Sequence, residues 1–211
     1  MVSYAREERA ALAALLDETG PDGPTLCEGW RTRDLAAHLV LRERRPDAAA
    51  GVLGGPLAGH TARVQQGFLD RYSYSDLVGL FRSGPPRLSV FAIPAADEAA
   101  NAVEYFVHHE DVRRAADGWT ERPLDDGLAE LLWKRLKAAR MLLRAAPTGV
   151  VLARDDGGKL DLIVAKNAAP SVTVTGAPAE LTMWIMGRGR AAHVTLDGTD
   201  EAVTKLAAWR A

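Results

Sequence analysis

Cysteine is almost missing from this chain: Cys27 is the only one in 211 residues. No intrachain disulfide can form, so the fold must rest on packing or on a metal, and a reducing compartment suits it. Long apolar runs are missing too. Nothing approaches the roughly 18 consecutive apolar residues of a membrane-spanning helix, and Met1 to Arg9 carries charge where a secretory leader needs an apolar stretch. The sequence reads as that of a cytoplasmic protein. Charge of one sign is also lacking, since 26 Lys and Arg face 28 Asp and Glu for a net charge of −2. That balance gives no electrostatic reason to expect nucleic acid or an anionic membrane as partner. There is no internal repeat and no low-complexity tract. What remains is 47% apolar and 26% charged residues, the mixture of an ordinary globular protein, with length enough for one large domain or a medium one plus a small one.

The spacing of apolar residues changes once. From Tyr4 to Glu18, Leu12, Leu15 and Leu16 recur at helical spacing until Gly20-Pro21 stops them. Thr32 is positioned to cap a second helix carrying Leu35, His38, Leu39 and Leu41, which ends before Pro46. Gly51 to Gly59 reads as a loop, followed by helices over Thr61–Arg71, Ser75–Phe81, Ala96–Ala116 and Leu124–Arg144. After Pro147-Thr148-Gly149 the pattern alternates. Val150–Ala153 and Leu160–Val164 flank Asp155-Asp156-Gly157-Gly158, a hairpin signal. Val172 and Val174 mark a further strand, Pro178 opens a helix with Leu181, Trp184 and Ile185, His193–Leu196 reads as a strand, and Thr199 caps a last helix. These patterns predict an α+β protein, with a four-helix bundle over residues 1–147 and a small α+β domain over residues 148–211.

Within the bundle, Glu104 and His108 stand four residues apart in a helix, so their directions differ by only about 40°. One metal ion can touch both, and His38, on the apolar side of another helix, supplies a third ligand. Spacing alone leaves the alternative open: a core histidine beside a solvated pair, since E-x-x-x-H is far less specific than H-E-x-x-H. Asp111, three residues beyond His108, is placed to orient its imidazole. His109 points about 100° away from His108 and is assigned to structure or solvent. His60 reads as an exposed loop histidine, and Cys27, with nothing basic beside it in sequence, as an inert thiol. Arg42, Arg44 and Arg45 form a solvated helix end or receive an anionic substrate at the mouth of the site.

Two segments carry a wider likeness: Gly29-Trp30-Arg31-Thr32-Arg33-Asp34-Leu35-Ala36-Ala37-His38-Leu39, and Glu104-Tyr105-Phe106-Val107-His108-His109-Glu110-Asp111-Val112-Arg113. This pattern resembles the DinB/YfiT-like metal-binding helical bundles, in the branch of mycothiol-dependent maleylpyruvate isomerase. Gly176-Ala177-Pro178-Ala179-Glu180-Leu181, Trp184, Gly187-Arg188-Gly189 and Val194-Thr195-Leu196-Asp197-Gly198 resemble that branch's small C-terminal domain. Leu41-Arg42-Glu43-Arg44-Arg45-Pro46-Asp47 is similar to an actinobacterial group described as metal-binding. The resemblance implies a divalent metal, usually zinc, on His38, Glu104 and His108. It also implies mycothiol or a similar thiol as cofactor, a small electrophile as substrate, and Arg188 as a residue that binds a substrate carboxylate. A metal-water hydrolase, with Asp111 or Glu110 as proton acceptor, and a non-catalytic binding module remain as the other readings.

Overall fold

A computed structural model of the chain describes residues 3–49, 51, 55–163 and 170–210. Val164, expected in a strand, and residues 52–54 of the expected glycine-rich loop lie outside them. The fold is α+β, and the chain divides into two compact units, Met1–Thr120 and Glu121–Ala211.

The first unit is helical: α1 (Tyr4–Thr19), α2 (Thr32–Arg44), α3 (Pro46–Ala49), α4 (Ala58–Arg71), α5 (Tyr74–Arg82) and α6 (Pro94–Arg113). Apart from an isolated bridge between Pro24 and Arg31, the described residues of this unit contain no strand pairing. Leu12 and Leu16 of α1, Leu35 and Leu39 of α2, Leu77 and Phe81 of α5, and Tyr105 and Phe106 of α6 are fully buried together as its apolar centre. α6 begins with Pro94, whose fixed φ and missing N–H suit the first helical turn.

Polar rungs run through this helical packing. Glu98 of α6 accepts from the Ser3 hydroxyl at 3.0 Å and from the backbone N–H of Tyr4 at 3.2 Å and Ala5 at 3.0 Å. A carboxylate from another helix thereby satisfies the open N-terminus of α1. Arg9 of α1 reaches Glu43 of α2 at 2.9 Å and Asp97 of α6 at 3.1 Å, and Tyr105 donates to the same Glu43 at 2.5 Å. His109, read from its direction on the helix as belonging to structure or solvent, is buried and pairs with Glu8 of α1 at 3.0 Å.

One expectation changes here. Thr32 is the first residue of α2, with Arg31 at the cap position and the Arg31 N–H donating to Asp34 at 2.9 Å. The Thr32 hydroxyl instead closes the preceding loop, donating to the Gly20 carbonyl and accepting from the Gly23 N–H. The two compact units meet in sequence between Thr120 and Glu121. α7 (Asp126–Leu136) and the 3-10 turns of Ala138–Leu143 belong to the second unit, because Leu136 and Leu143 share a core with Val150, Leu152, Val172 and Val174. A change of periodicity marks where strands begin, whereas the unit boundary follows the apolar contacts.

The second unit holds β1 (Gly149–Arg154), β2 (Lys159–Ile163), β3 (Ser171–Gly176), α8 (Pro178–Ile185), β4 (Thr195–Asp197) and α9 (Asp200–Arg210). The sheet order is β2-β1-β3-β4, with β1 parallel to β3 and both outer pairs antiparallel. β1 and β2 are joined by the expected turn, in which Gly157 and Gly158 adopt φ values of 107° and 100° that side chains with a Cβ resist. Leu181, Trp184 and Ile185 of α8 and Ala202 and Leu206 of α9 pack on this sheet.

Candidate metal centre

α2 and α6 carry the site. His38 lies on α2, with its ring tilted against Trp30 at 5.0 Å between centroids. On α6, Asp97, Asn101, Glu104, His108 and Asp111 follow one another at intervals of three and four residues, so a polar stripe occupies a helix face that ordinarily carries apolar residues. All but Glu104 in that stripe are buried, and Glu104 is partly buried.

The structure brings His38, Glu104 and His108 together. Glu104 Oε1 lies 3.4 Å from His38 Nε2 and 3.0 Å from His108 Nε2. The two imidazole centroids are 5.1 Å apart, and one ligand atom from each of the three residues falls within 4.8 Å of the others. Four-coordinate zinc at about 2.0–2.1 Å places neighbouring ligand atoms roughly 3.4 Å apart, so both measured separations are close to an edge of such a tetrahedron. The donor set fits a divalent ion.

Burial pushes His38 down to about 4, which keeps its imidazole neutral and its ring nitrogen available as a ligand. Burial by itself would raise Glu104, but His108, His38 and Arg42 hold it well below the usual carboxylate range. Burial would likewise lower His108, yet Asp111, Cys27 and Glu104 raise it well above the usual histidine value. Asp111 Oδ2 is 2.9 Å from His108 Nδ1, so the carboxylate fixes the ring and leaves Nε2 directed at Glu104.

Two neighbours make contacts that sequence reasoning did not assign to them. Cys27 is not remote from basic groups: its thiol donates to Asp111 at 3.2 Å and lies 3.9 Å from His108 Nδ1. Arg42 is not merely a solvated helix end, because its Nη1 stands 3.1 Å from Glu104 Oε1. The N–H of that nitrogen is not aligned for a hydrogen bond, and the atom is buried without a partner of that kind. The sequence does carry one signal for it, since Arg42 follows His38 by four residues and shares its side of α2.

The remaining candidates have other partners. Glu110 is fully buried and engaged by Arg113 at 2.9 Å and Arg114 at 2.7 Å. His60 pairs with Asp47 at 2.9 Å on the surface. In the second unit, Arg188 follows α8, is half-buried, and donates to the Met186 carbonyl at 2.6 Å. Glu121, Glu180 and His193 of that unit also cluster, but His193 uses its N–H on Glu180 at 2.8 Å and its ring on Glu121 at 2.5 Å.

Compared with solved structures, the chain matches mycothiol-dependent maleylpyruvate isomerase with a TM-score of 0.57 at 17% identity, covering 92% of this chain and 90% of that one. A mutant of the same enzyme matches with a TM-score of 0.58 at 16% identity and the same coverage. This chain has the fold of mycothiol-dependent maleylpyruvate isomerase. No family model and no curated protein matches it. No helix among the described residues is long and apolar enough to cross a membrane.

Proposed function

We infer that the chain is a divalent-metal protein, with zinc on His38, Glu104 and His108, that promotes addition or transfer of a low-molecular-weight thiol such as mycothiol to a small electrophile. The observation that carries this reading is the convergence of the three ligand atoms within 4.8 Å while Asp111 holds the far side of His108. Three protein ligands are the number typical of catalytic rather than structural zinc. A divalent ion there supplies the positive charge that lowers a thiol's pKa and favours the nucleophilic thiolate at neutral pH.

The chain's own residues supply position and charge. Asp111 holds His108 in one orientation, and the buried, neutral His38 contributes a ligand without adding positive charge. Trp30 packs beside His38 and shields that side of the centre. Arg188 is the proposed carboxylate-binding residue, by its place in the segment resembling the isomerase, through a bidentate guanidinium pair.

The hydrolase reading needs a proton acceptor on the Nε2 side of His108. Glu110 is committed to two arginines and Asp111 contacts Nδ1, so neither of its two named candidates is placed for that task. The thiol reading needs no such base on the chain. The test is a thiol titration of the cobalt-substituted protein, in which a sulfur-to-metal charge-transfer band is expected and His108→Ala abolishes it. A wild-type protein that binds cobalt at one equivalent and shows neither this band nor thiol-dependent turnover refutes the thiol reading. A wild type that binds no cobalt refutes the metal reading as well.

A further inference from the structure

α4 is 14 residues long, yet only Thr61 on it is buried. Val64 and Phe68, four residues apart, and Tyr72 just past the helix end lie half-buried along one face. They floor a cleft of about 560 Å³ in the first unit, a size in the range of small-molecule sites. Phe68 and Tyr72 stack with their centroids 5.8 Å apart and their planes at 24°. The rest of the wall is basic, with Arg45 from the end of α2 and His60, Arg63 and Arg71. None of these residues belongs to the metal centre.

The two ends of the cleft differ. His60 and Arg63 stand where α4 begins, and Arg45 joins them there, because Asp47 contacts Arg45 at 2.7 Å and His60 at 2.9 Å. One carboxylate is thus divided between two basic side chains. Arg63 donates to the Gly59 carbonyl at 3.3 Å and Arg71 lies 5.4 Å from the Tyr72 ring centroid; neither meets a carboxylate among the described residues. Asp70, the one carboxylate on α4, accepts from Gln66 at 2.8 Å. The basic end therefore keeps positive charge that an anion offsets, while the far end offers ring faces to a planar group. From Arg63 to Phe68 is about 7.5 Å along the helix axis, a span that calls for a linker between the two parts of one ligand.

Gly67 lies between those ends. A glycine inside a helix weakens it relative to alanine, and packing does not demand one here, because a Cβ at Gly67 would meet nothing within 4 Å. Gly67 lines the cleft, and its bare backbone keeps the passage from the basic end to the rings open.

We propose that this cleft binds a nucleoside phosphate, with its phosphates on Arg63 and Arg45 and its base against Phe68 and Tyr72 beside the Arg71 guanidinium. Guanidinium groups match phosphate oxygens in bidentate pairs, a base has the flat face that aromatic side chains stack on, and the ribose is the linker that crosses Gly67. The site is separate from the metal centre and does not rest on the metal-and-thiol reading.

ADP, adenosine and pyrophosphate divide that ligand into the whole, its base and its charge. Binding of each is measured by calorimetry and ligand-observed NMR on the full chain dialysed free of excess zinc. ADP is expected to bind on the order of ten- to a hundredfold more tightly than either fragment, the scale of one stacked base or one charge pair. Arg63→Gln should weaken ADP and pyrophosphate about tenfold and leave adenosine unchanged, whereas Tyr72→Ser should weaken ADP and adenosine and leave pyrophosphate unchanged. Gly67→Leu should raise the denaturant midpoint, because leucine favours a helix interior over glycine, and yet weaken ADP by about tenfold or more as it fills the passage. Arg63 and Gly67 are exposed on α4, so neither variant disturbs the packed core. No binding of ADP, ADP no tighter than pyrophosphate, or undiminished ADP binding in a folded Gly67→Leu or Arg63→Gln overturns the proposal. Absence of the cobalt–thiol band with ADP binding intact removes the thiol chemistry and leaves the cleft assignment standing.

Discussion

Replacing Asp111 with asparagine removes one negative charge from behind His108 and keeps the shape of the side chain. Asp111 is fully buried and stands 2.9 Å from His108 Nδ1, so the change acts on zinc through the imidazole. Two effects oppose each other. A carboxylate behind a metal-bound histidine increases its basicity, and losing such a partner typically costs about 10- to 100-fold in affinity, or about 1.4–2.7 kcal/mol. The same carboxylate also stabilises a proton on His108, whose pKa lies well above the usual value despite burial, through Asp111, Cys27 and Glu104. Zinc must displace that proton. Wild-type affinity should therefore rise by up to about tenfold per pH unit until His108 is deprotonated without help, and then level off. In Asp111→Asn the plateau should begin at lower pH and lie about 10- to 100-fold below the wild-type plateau, with the two curves converging in acid. Competition with a chromophoric chelator between about pH 6 and pH 9 reads both quantities. Two superimposable curves would refute the placement of Asp111 behind a zinc-binding His108.

Two further predictions concern stability. With a chelator present, His38 contributes stability that is complete above its unfolded value of 6.5 and lost as pH falls through about 4. At about 1.4 kcal/mol per unit the loss approaches about 3 kcal/mol, and urea unfolding across that range should show a shallower pH slope in His38→Gln; an unchanged slope refutes the buried, neutral His38. Arg9→Met leaves Glu43 and Asp97 buried without their cation, and should cost about 3–5 kcal/mol in denaturant unfolding. Arg45→Met, whose partner Asp47 sits on the surface, should be indistinguishable from wild type, and equal effects of the two substitutions would refute this assignment of the buried network.

Helices with strong local punctuation are legible in the amino-acid sequence. Gly20-Pro21 ends the first helix and Pro178 opens α8 where expected, and the two glycines after Asp155-Asp156 form the hairpin turn. The four-residue α3 has too few residues to show a period, and it emerges only as α2 gives way to Pro46. Allocation of α7 to the second unit is hidden for a different reason. Its leucines have the same spacing whichever core they enter, and only tertiary packing chooses. At the centre, Glu104 and His108 are legible as a pair because one helix fixes their relation, and His38 is legible as their neighbour from its place on the apolar side of α2. The thiol of Cys27 beside Asp111 spans 84 positions in sequence, and the bond from Tyr105 to Glu43 spans 62. No local pattern encodes such meetings.

The rungs between α1 and α6 have a consequence for the centre that their distance from it conceals. A seam of leucines resists sliding weakly, since one apolar side chain can replace another a turn away, and that turn is about 5.4 Å. Such a slip would exceed the 4.8 Å within which the three ligand atoms gather. Directional bonds cannot be traded in this way. Glu98 grips the first residues of α1, Glu8 grips His109, and Arg9 grips Asp97 while also holding Glu43 on the helix that bears His38. They behave like keys cut into a shaft, locking the phase of one helix against the next. A substitution at Glu98, which touches neither histidine, would thus register at the centre as a loss of alignment.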